Sequence, residues 1–182
     1  MLLCGRYFFD LASNELKKYH DQAETKAADK DIRLATNEVF PSNHVVTLGL
    51  KKEAEVIPGI IRWGFEGIKK GQLMINARSE TVKEKQIFSK AFRESRCIFP
   101  MSSFYEWNHN KQKFLFKGKE NSTLFVGSFY RIHRTESGFE TESIILTTKP
   151  NTSVASVHDR MQVIIERSSI NEWLNWNLQK SM

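Results

Sequence analysis

The feature that most constrains the fold is a series of short apolar runs, rich in β-branched and aromatic residues, which recurs between residues 45 and 165. Short runs of this kind, separated by polar turns, are typical of antiparallel sheets. Pro58 and Gly59 are expected to break the chain between two of them, and residues 37–43 are expected to form a loop. We predict strands at residues 45–50, 54–57, 97–100, 104–107, 114–116, 123–130, 143–148 and 162–165.

Helices are predicted near both ends of the chain and in its middle. Ser13 is expected to cap a first helix. In residues 81–94 the apolar side chains recur at helical spacing, which predicts a second helix with one buried face. A last helix is expected to start at Ser168 or Ser169. Since no internal repeat or linker is visible, residues 1–182 are predicted to form one α+β domain with a mostly antiparallel β core.

The composition limits the partners that this protein is expected to have. The net charge of +6 favours an anionic partner, with a mildly basic solvated surface as the alternative. No apolar run is long enough to span a bilayer, and Met1-Leu2-Leu3 is too short for a signal peptide. We therefore expect a cytoplasmic monomer without a membrane partner.

The cysteine content gives no sign of a disulfide or a metal centre. Cys4 and Cys97 are expected to stay unpaired in a cytoplasmic protein. No pair of histidine or cysteine residues has the spacing of a metal site, and no phosphate-binding loop is present in the sequence. Neither a metal nor another cofactor is therefore expected.

Four polar stretches lie at the edges of apolar runs, where a cleft would gather them. Each stretch alone has a structural alternative. Cys4 fits a small buried hydrophobic residue, His158 fits a structural histidine, and Arg78 fits a surface charge as well as a phosphate clamp. The stretches are Cys4-Gly5-Arg6, Asn76-Ala77-Arg78-Ser79-Glu80-Thr81, Phe104-Tyr105-Glu106-Trp107 and His158-Asp159-Arg160-Met161.

Glu106 lies between two aromatic residues of a predicted strand. Because side chains alternate along a strand, Glu106 points away from the face that carries Tyr105 and Trp107. Two environments fit this pattern: an outward, solvated glutamate, or a cleft carboxyl whose pKa is raised by loss of water. The residues alone leave both open.

Taken together, the polar stretches resemble the SRAP family, the SOS-response-associated peptidases, also known as abasic-site processing proteins. The resemblance covers nearly the full chain, from Cys4-Gly5-Arg6-Tyr7 to the terminal helix, with the motifs in the family's order. The further motifs are Trp63-Gly64-Phe65, Asn76-Ala77-Arg78-Ser79-Glu80-Thr81, Arg96-Cys97-Ile98-Phe99-Pro100, Phe104-Tyr105-Glu106-Trp107 and His158-Asp159-Arg160-Met161.

The resemblance implies a barrel-like, mostly antiparallel β core flanked by short helices, with a basic groove across one face. It implies that the partner is single-stranded DNA with abasic sites, whose opened sugars are aldehydes. A cysteine with a free α-amine condenses with such an aldehyde to an imine, and its thiolate then closes a thiazolidine ring. The resulting covalent link protects the lesion during the DNA damage response, with the protein at the nucleoid when bound.

The same resemblance assigns chemical roles to four positions of this chain. Cys4 corresponds to the nucleophile, and Asn76 corresponds to the residue that holds the N-terminal group and the opened sugar. Glu106 corresponds to the general acid and base, which moves a proton to and from the sugar oxygen. His158 corresponds to the residue that assists proton transfer and reversal of the link.

Four other positions correspond to DNA contacts. The resemblance implies that Arg6 and Arg78 contact phosphates on either side of the lesion. Trp63 and Phe65 are expected to stack on neighbouring bases or to wedge beside them, which binds DNA without regard to its sequence.

Two other functions are compatible with the same residues. A cysteine peptidase, acting on itself or on other proteins, would use Cys4 with Glu106 or His158 for acyl transfer. A non-covalent single-stranded DNA module would need no reactive cysteine. The sequence does not separate these functions from a covalent sensor of abasic sites.

The chain departs from the family pattern at positions beside the functional ones. Ser103 replaces a glycine before Phe-Tyr-Glu-Trp, and Gln162 stands where a proline is common. The larger departure is Met1-Leu2-Leu3, which makes the nitrogen of Cys4 an amide.

Three hypotheses account for this leader. Translation starts at Leu3, which is then read as methionine and removed; the protein cleaves its own leader; or the leader stays and the protein binds DNA non-covalently. We favour the first of these hypotheses.

Overall fold

The computed structural model describes residues 5–28, 32–51, 55–67, 69, 71–135 and 138–175. The strands are β1 (Tyr7–Phe9), β2 (Asn37–Val39), β3 (His44–Leu50), β4 (Val56–Trp63), β5 (Phe65–Glu66), β6 (Leu73–Met74), β7 (Asn76–Arg78), β8 (Arg96–Met101), β9 (Ser103–Trp107), β10 (Lys113–Lys117), β11 (Leu124–Thr135), β12 (Gly138–Thr148) and β13 (Met161–Gln162). The helices are α1 (Asn14–Ala28), α2 (Gln86–Glu94), α3 (Thr152–Ala155) and α4 (Ile170–Leu174).

Five strands close into a barrel in the order β11-β8-β3-β4-β12, because β12 also pairs with β11. Every pairing around this ring is antiparallel except the one between β12 and β4. Strands β7 and β13 extend the sheet from β12. The predicted α+β fold with a barrel-like, mostly antiparallel core is therefore confirmed.

A second, smaller sheet packs against the barrel core, with strand order β10-β9-β1-β2. On β1, Tyr7 and Phe9 point inward and are buried, and they join Trp63 and Phe99 in one apolar cluster. The rings of Tyr7, Trp63 and Phe99 contact one another with centroids 5.5–6.0 Å apart. Aromatic contacts of this kind fix the small sheet on the barrel.

The helices cover the remaining apolar surfaces. Ser13 caps α1 as predicted, since its hydroxyl accepts a hydrogen bond from the backbone N–H of Leu16. The second helix, α2, buries Phe88 and Phe92 against the ring of Phe129. It starts at Gln86 and not at residue 81, because residues 79–84 form turns. Among the described residues, no helix is long and apolar enough to cross a membrane.

Two local predictions are wrong. Pro58 and Gly59 lie within β4, where Pro58 is in register with Leu48 of β3. Proline is tolerated there because β12 pairs with β4 only at Arg62 and Trp63, so β4 has a single neighbour at Pro58. The segment expected as a loop at residues 37–43 begins with β2, which pairs with β1.

A buried carboxylate stabilises the parallel seam of the barrel. The side chain of Glu142 on β12 is fully buried and accepts hydrogen bonds from Arg62 at 2.6 Å and Arg131 at 2.8 Å. It also accepts the backbone N–H of Glu66. Because Glu142 neutralises one guanidinium on β4 and one on β11, this side chain joins the two strands that flank β12.

We expect Glu142→Gln to destabilise the protein by about 3 kcal/mol, since it leaves two partly buried arginines without their shared counter-charge. Urea denaturation measures this loss. Glu140→Gln is the matched control, because Glu140 faces the same Arg62 but its side chain is 30% exposed, and it should change stability by about 1 kcal/mol or less. Equal effects of the two substitutions would contradict this account of the seam.

Candidate functional site

The strand pairing of the small sheet brings the start of the described chain to Glu106. Tyr7 is in register with Phe104, and the backbone N–H of Tyr105 donates to the carbonyl of Arg6. The same antiparallel register places Gly5 across from Glu106. The predicted nucleophile Cys4 lies outside the described residues, so this register locates only the residue that follows it in the sequence.

Gly5 also lies beside the strand that carries Asn76. A Cβ atom added at Gly5 would lie 3.8 Å from Cδ1 of Ile75, the residue before Asn76. Asn76 is half-buried on β7, in register with Ile145 of β12. Gly5 therefore lies next to the segment that carries Asn76 and in line with Glu106 on β9, two segments that are distant in the sequence.

Glu106 is buried, as the second of its two alternatives required. Its residue exposure is 1%, and it points inward from β9 together with Phe104. Tyr105 and Trp107 are half-buried on the opposite face of the strand. The alternation predicted from the sequence is confirmed, and a solvated outward glutamate is excluded.

His158 is held by the turn that follows α3. Asn151 caps α3 by accepting the backbone N–H groups of Ser153 and Val154, and the turn continues as His158 donates its N–H to the carbonyl of Val154. The imidazole is buried, and its Nδ1 accepts a hydrogen bond from the backbone N–H of Arg160 at 3.0 Å.

This hydrogen bond determines the tautomer of His158. Because Nδ1 accepts, the proton of the neutral ring is on Nε2. The carboxylate of Asp159 also lies 3.1 Å from Nδ1, but this side chain is 82% exposed, so water screens its charge.

Arg160 connects two of the polar stretches, a role that the sequence reasoning missed. Its guanidinium makes two hydrogen bonds of 2.8 Å to the carboxylate of Glu80 and a third to the carbonyl of Thr147. The Arg160 guanidinium lowers the pKa of Glu80 from 4.5 to about 2. The opposite charges of Glu80 and Arg160 could have indicated this ion pair, but residues that are 80 positions apart cannot be paired from the sequence alone.

Arg78, one of the predicted phosphate contacts, is exposed at the end of β7, beside this connection. It is in register with Thr147 of β12, which in turn is in register with Gln162 of β13. Partners in register point to the same face of a sheet. Asn76 and Arg78 are two residues apart on β7 and share a face of the sheet, so an exposed cation lies beside the half-buried Asn76.

The prediction that Trp63 and Phe65 stack on DNA bases is wrong. Both residues are 0% exposed and belong to the core. Trp63 instead contacts the backbone beside Asn76 from the core side, because its indole N–H donates to the carbonyl of Ile75. Phe65 packs edge-on against Phe129 and under the guanidinium of Arg131.

Arg6 lies on the outer face of the small sheet, within an aromatic pair. Its guanidinium is 4.5 Å from the ring centre of Phe40 and 5.5 Å from that of Trp107, and it pairs with Glu38 at 3.4 Å. Phe40 is 39% exposed. The Arg6 cation therefore lies beside the exposed ring of Phe40, whereas the sequence predicted the cation alone.

One group of described residues has the composition of a metal site. His20, Asp21 and Glu24 on α1 have ligand atoms within 4.8 Å of one another. Lys17 already binds Asp21 at 2.6 Å, and both carboxylates are exposed. Such a cluster is common on helix surfaces, and it lies on a different element from Asn76, Glu106 and His158.

The fold defines the class of protein: a small α+β barrel with a second sheet, in which the N-terminal strand pairs with the strand that carries a buried glutamate. A profile of the family described as SOS response associated peptidase (SRAP) matches residues 3–182. The chain belongs to the SRAP family.

Two relatives from Bacillus subtilis (strain 168) are similar in sequence. The chain is 36% identical to the abasic site processing protein YoqW over 75% of this chain and 65% of that protein. It is 39% identical to the abasic site processing protein YoaM over 64% of this chain and 56% of that protein. The chain thus spans less than two thirds of either relative.

A solved structure from Bordetella bronchiseptica has the same fold. It superimposes with a TM-score of 0.74 at 19% identity, over 94% of this chain and 88% of that one. At this identity the similarity concerns the fold.

We expect the connection between Glu80 and Arg160 to weaken in acid. Because the pKa of Glu80 is depressed in the folded state, its contribution is complete above pH 4.5 and disappears as the pH falls towards about 2. Glu80→Gln should therefore flatten the loss of stability between these pH values, as measured by urea denaturation. An unchanged slope would contradict the assignment.

Proposed function

We propose that this protein recognises abasic sites in single-stranded DNA and links covalently to them through Cys4. The observation that supports this proposal is the strand register, which aligns Gly5, the residue after Cys4, with the buried Glu106, while Gly5 also lies beside Ile75, the neighbour of Asn76. The names of the two Bacillus relatives, which describe abasic site processing, support the same substrate.

The proposed reaction joins the two nucleophilic atoms of Cys4 to one carbon. The α-amine adds to C1 of the opened deoxyribose, and loss of one water gives an imine. The Cys4 thiol then adds its sulfur to the imine carbon and a proton to the nitrogen, which closes a thiazolidine. The net change is one water released, without an oxidant or a leaving base.

Glu106 is the proposed proton shuttle. In the proposed reaction the buried Glu106 carboxyl donates a proton to the ring oxygen as the sugar opens and then accepts a proton from the attacking amine. Glu106 lies on β9, the strand that pairs with β1.

His158 and Asn76 complete the proposed chemistry. Because the Nδ1 of His158 accepts the backbone N–H of Arg160, the ring presents its Nε2–H as the group that donates a hydrogen bond to the reacting sugar. Asn76 offers an amide, which holds the amine and the sugar hydroxyl in position. Trp63 positions Asn76 through its hydrogen bond to the carbonyl of the preceding Ile75. Arg160 positions the turn of His158 through its hydrogen bonds to Glu80.

DNA contacts are proposed on both sides of the cleft. Arg78 is exposed beside Asn76 and is placed to bind one phosphate. Arg6 with Phe40 and Trp107 offers a cation and aromatic rings, the combination that binds unpaired nucleotides. We assign base stacking to Phe40 and Trp107 in place of the buried Trp63 and Phe65.

The proposed reaction needs a free amine, so the acting form begins at Cys4. A peptidase that removes Met1-Leu2-Leu3 is the second candidate function, since the Cys4 thiol would attack the carbonyl of Leu3, Glu106 would protonate the departing α-amine, and water would then release the leader from the thioester. Intact mass of the natively expressed protein separates the accounts, because a mass that begins at Met1 contradicts both start-site reassignment and self-cleavage.

We expect protein that begins at Cys4 to form a heat-stable crosslink with a single-stranded abasic oligonucleotide, without borohydride. Glu106→Gln should slow crosslinking by about 100-fold, because it removes the proton shuttle. Denaturing gel electrophoresis over time measures the rate. Glu66→Gln is the control, since the Glu66 side chain is 46% exposed, and it should react at the wild-type rate. No crosslink from the wild-type protein would reject the proposal.

The two tryptophans should behave in opposite ways. Trp107→Ala is expected to weaken binding to undamaged single-stranded DNA by about 1–3 kcal/mol through the lost stacking, with little change in stability. Trp63→Ala is expected to destabilise the fold by about 3–5 kcal/mol, because the ring is fully buried. Fluorescence anisotropy and urea denaturation measure the two effects, and DNA affinity independent of Trp107 would contradict the revised stacking assignment.

A further inference from the structure

The outer face of the small sheet carries features that the proposed reaction does not use. Since Tyr7 and Glu106 point inward, Phe8 and Tyr105 point outward from the neighbouring strands β1 and β9. The ammonium group of Lys113 on β10 lies 3.8 Å from the ring centre of Tyr105. This face therefore combines aromatic rings with cations.

A cavity of about 540 Å³ opens on the same face, beyond Tyr105. Its volume falls within the range of roughly 300–1,000 Å³ that is usual for small-molecule sites. The walls combine aromatic and aliphatic side chains with hydroxyl and charged groups. The residues that matter for recognition are Phe8, Asp10, Ser103, Tyr105, Leu115 and Lys117.

The register of the strands orders these side chains. Phe8, Ser103 and Lys117 are in register across β1, β9 and β10, and Tyr105 is in register with Leu115. Two strand spacings separate Phe8 from Lys117, which is about 10 Å. Asp10 lies two residues beyond Phe8, so the acidic group and the cation stand at opposite ends of the cavity.

Lys117, the cation at this cavity, differs from the nearby Arg6 and Lys113 in its ion pairing. The carboxylate of Glu38 pairs with Arg6 at 3.4 Å and with Lys113 at 2.8 Å. Lys117 takes part in no ion pair among the described residues, and it is exposed. Its positive charge is thus available to an anion, while the charges of Arg6 and Lys113 are partly neutralised.

We propose that this cavity binds one unpaired nucleotide of the DNA strand that carries the lesion. The base lies against Phe8 and Tyr105, the phosphate pairs with Lys117, and Asp10 accepts hydrogen bonds from the edge of the base. Ser103 supplies a hydroxyl on the cavity floor, at a position where the family pattern has a glycine. The inference rests on the proposed function for its choice of ligand.

The place of the cavity fits a strand that continues from the lesion. Ser103 is three residues from Glu106 on β9, a distance of about 10 Å along the strand. Arg6 precedes β1 and lies on the same outer face as Phe8. Since Glu106 points to the inner face of the sheet, a DNA strand that leaves Glu106 passes around the start of β1 at Arg6 and then reaches the cavity.

Two substitutions test the cavity from opposite directions. Lys117→Gln removes the cation, and Ala12→Trp fills the cavity from its rim, where Ala12 is exposed. Each should weaken binding to an undamaged single-stranded oligonucleotide of about twelve nucleotides by about 3- to 10-fold. Fluorescence anisotropy measures the affinity. For Lys117→Gln the slope of affinity against salt should also fall by about one.

Lys90→Gln is the matched control, because Lys90 is exposed on α2 and its substitution removes the same charge at a distance from the cavity. It should leave the affinity within about twofold of the wild type. Equal losses for Lys90→Gln and Lys117→Gln would overturn the proposal, since they would reflect net charge alone. Wild-type affinity in both Lys117→Gln and Ala12→Trp would also overturn it.

A second measurement locates the nucleotide without any crosslinking. Titration with thymidine 5′-monophosphate should shift the backbone amide NMR signals of Ser103 and Leu115, and Ala12→Trp should abolish these shifts. Absence of shifts in the wild type at ligand concentrations up to about 10 mM would count against the site.

The outcomes separate this inference from the proposed function. If the wild type crosslinks abasic DNA but both cavity variants bind and react like it, the cavity proposal fails and the proposed function stands. If the wild type does not crosslink, yet the cavity variants weaken binding to undamaged DNA, the proposed function fails and the nucleotide site stands.

Discussion

The pairing of β1 with β9 is the constraint on which the candidate site depends. Tyr7 and Phe9 are buried in the core, so the strand that follows Cys4 has a fixed register and a fixed facing. A shift by one residue would turn Tyr7 outward and Arg6 inward, at a large loss of buried apolar area. The hydrophobic effect therefore aligns Gly5 with Glu106 through the folding of the chain alone.

The remaining groups are fixed by polar contacts that cross the barrel. Arg160 connects the turn of His158 to Glu80 and to the carbonyl of Thr147. Trp63 fixes the carbonyl next to Asn76 from the core side. These contacts leave Asn76, Glu106 and His158 on strands and a short capped turn, which is the preorganisation that the proposed proton transfer and ring closure would require.

The sequence predicted the fold class and the facing of Glu106 because both depend on short-range periodicity. The alternation of Phe104, Tyr105, Glu106 and Trp107 was enough to separate the inward carboxyl from the outward rings. The bounds of β4 were not predictable in this way, since Pro58 is acceptable only because β12 ends its pairing nearby. That information lies in the topology and not in the local residues.

The candidate site was partly predictable for the same reason. Asn76, Glu106 and His158 stood out as polar groups at the edges of apolar runs, and family resemblance supplied their roles. Trp63 and Phe65 were misassigned, because an aromatic residue in a conserved-looking motif has the same sequence signature whether it stacks on a base or packs in a core. Burial decides between the two, and burial depends on strands far away in the sequence.

Intact mass spectrometry of the protein–DNA product tests the central claim most directly. Protein that begins at Cys4 should give an adduct whose mass equals the protein plus the complete abasic oligonucleotide, less one water. It should persist after heating without a reducing agent, as a thiazolidine does. An adduct that lacks the DNA segment on one side of the lesion, or that dissociates unless it is reduced, would show a simple imine with strand cleavage and would contradict the account.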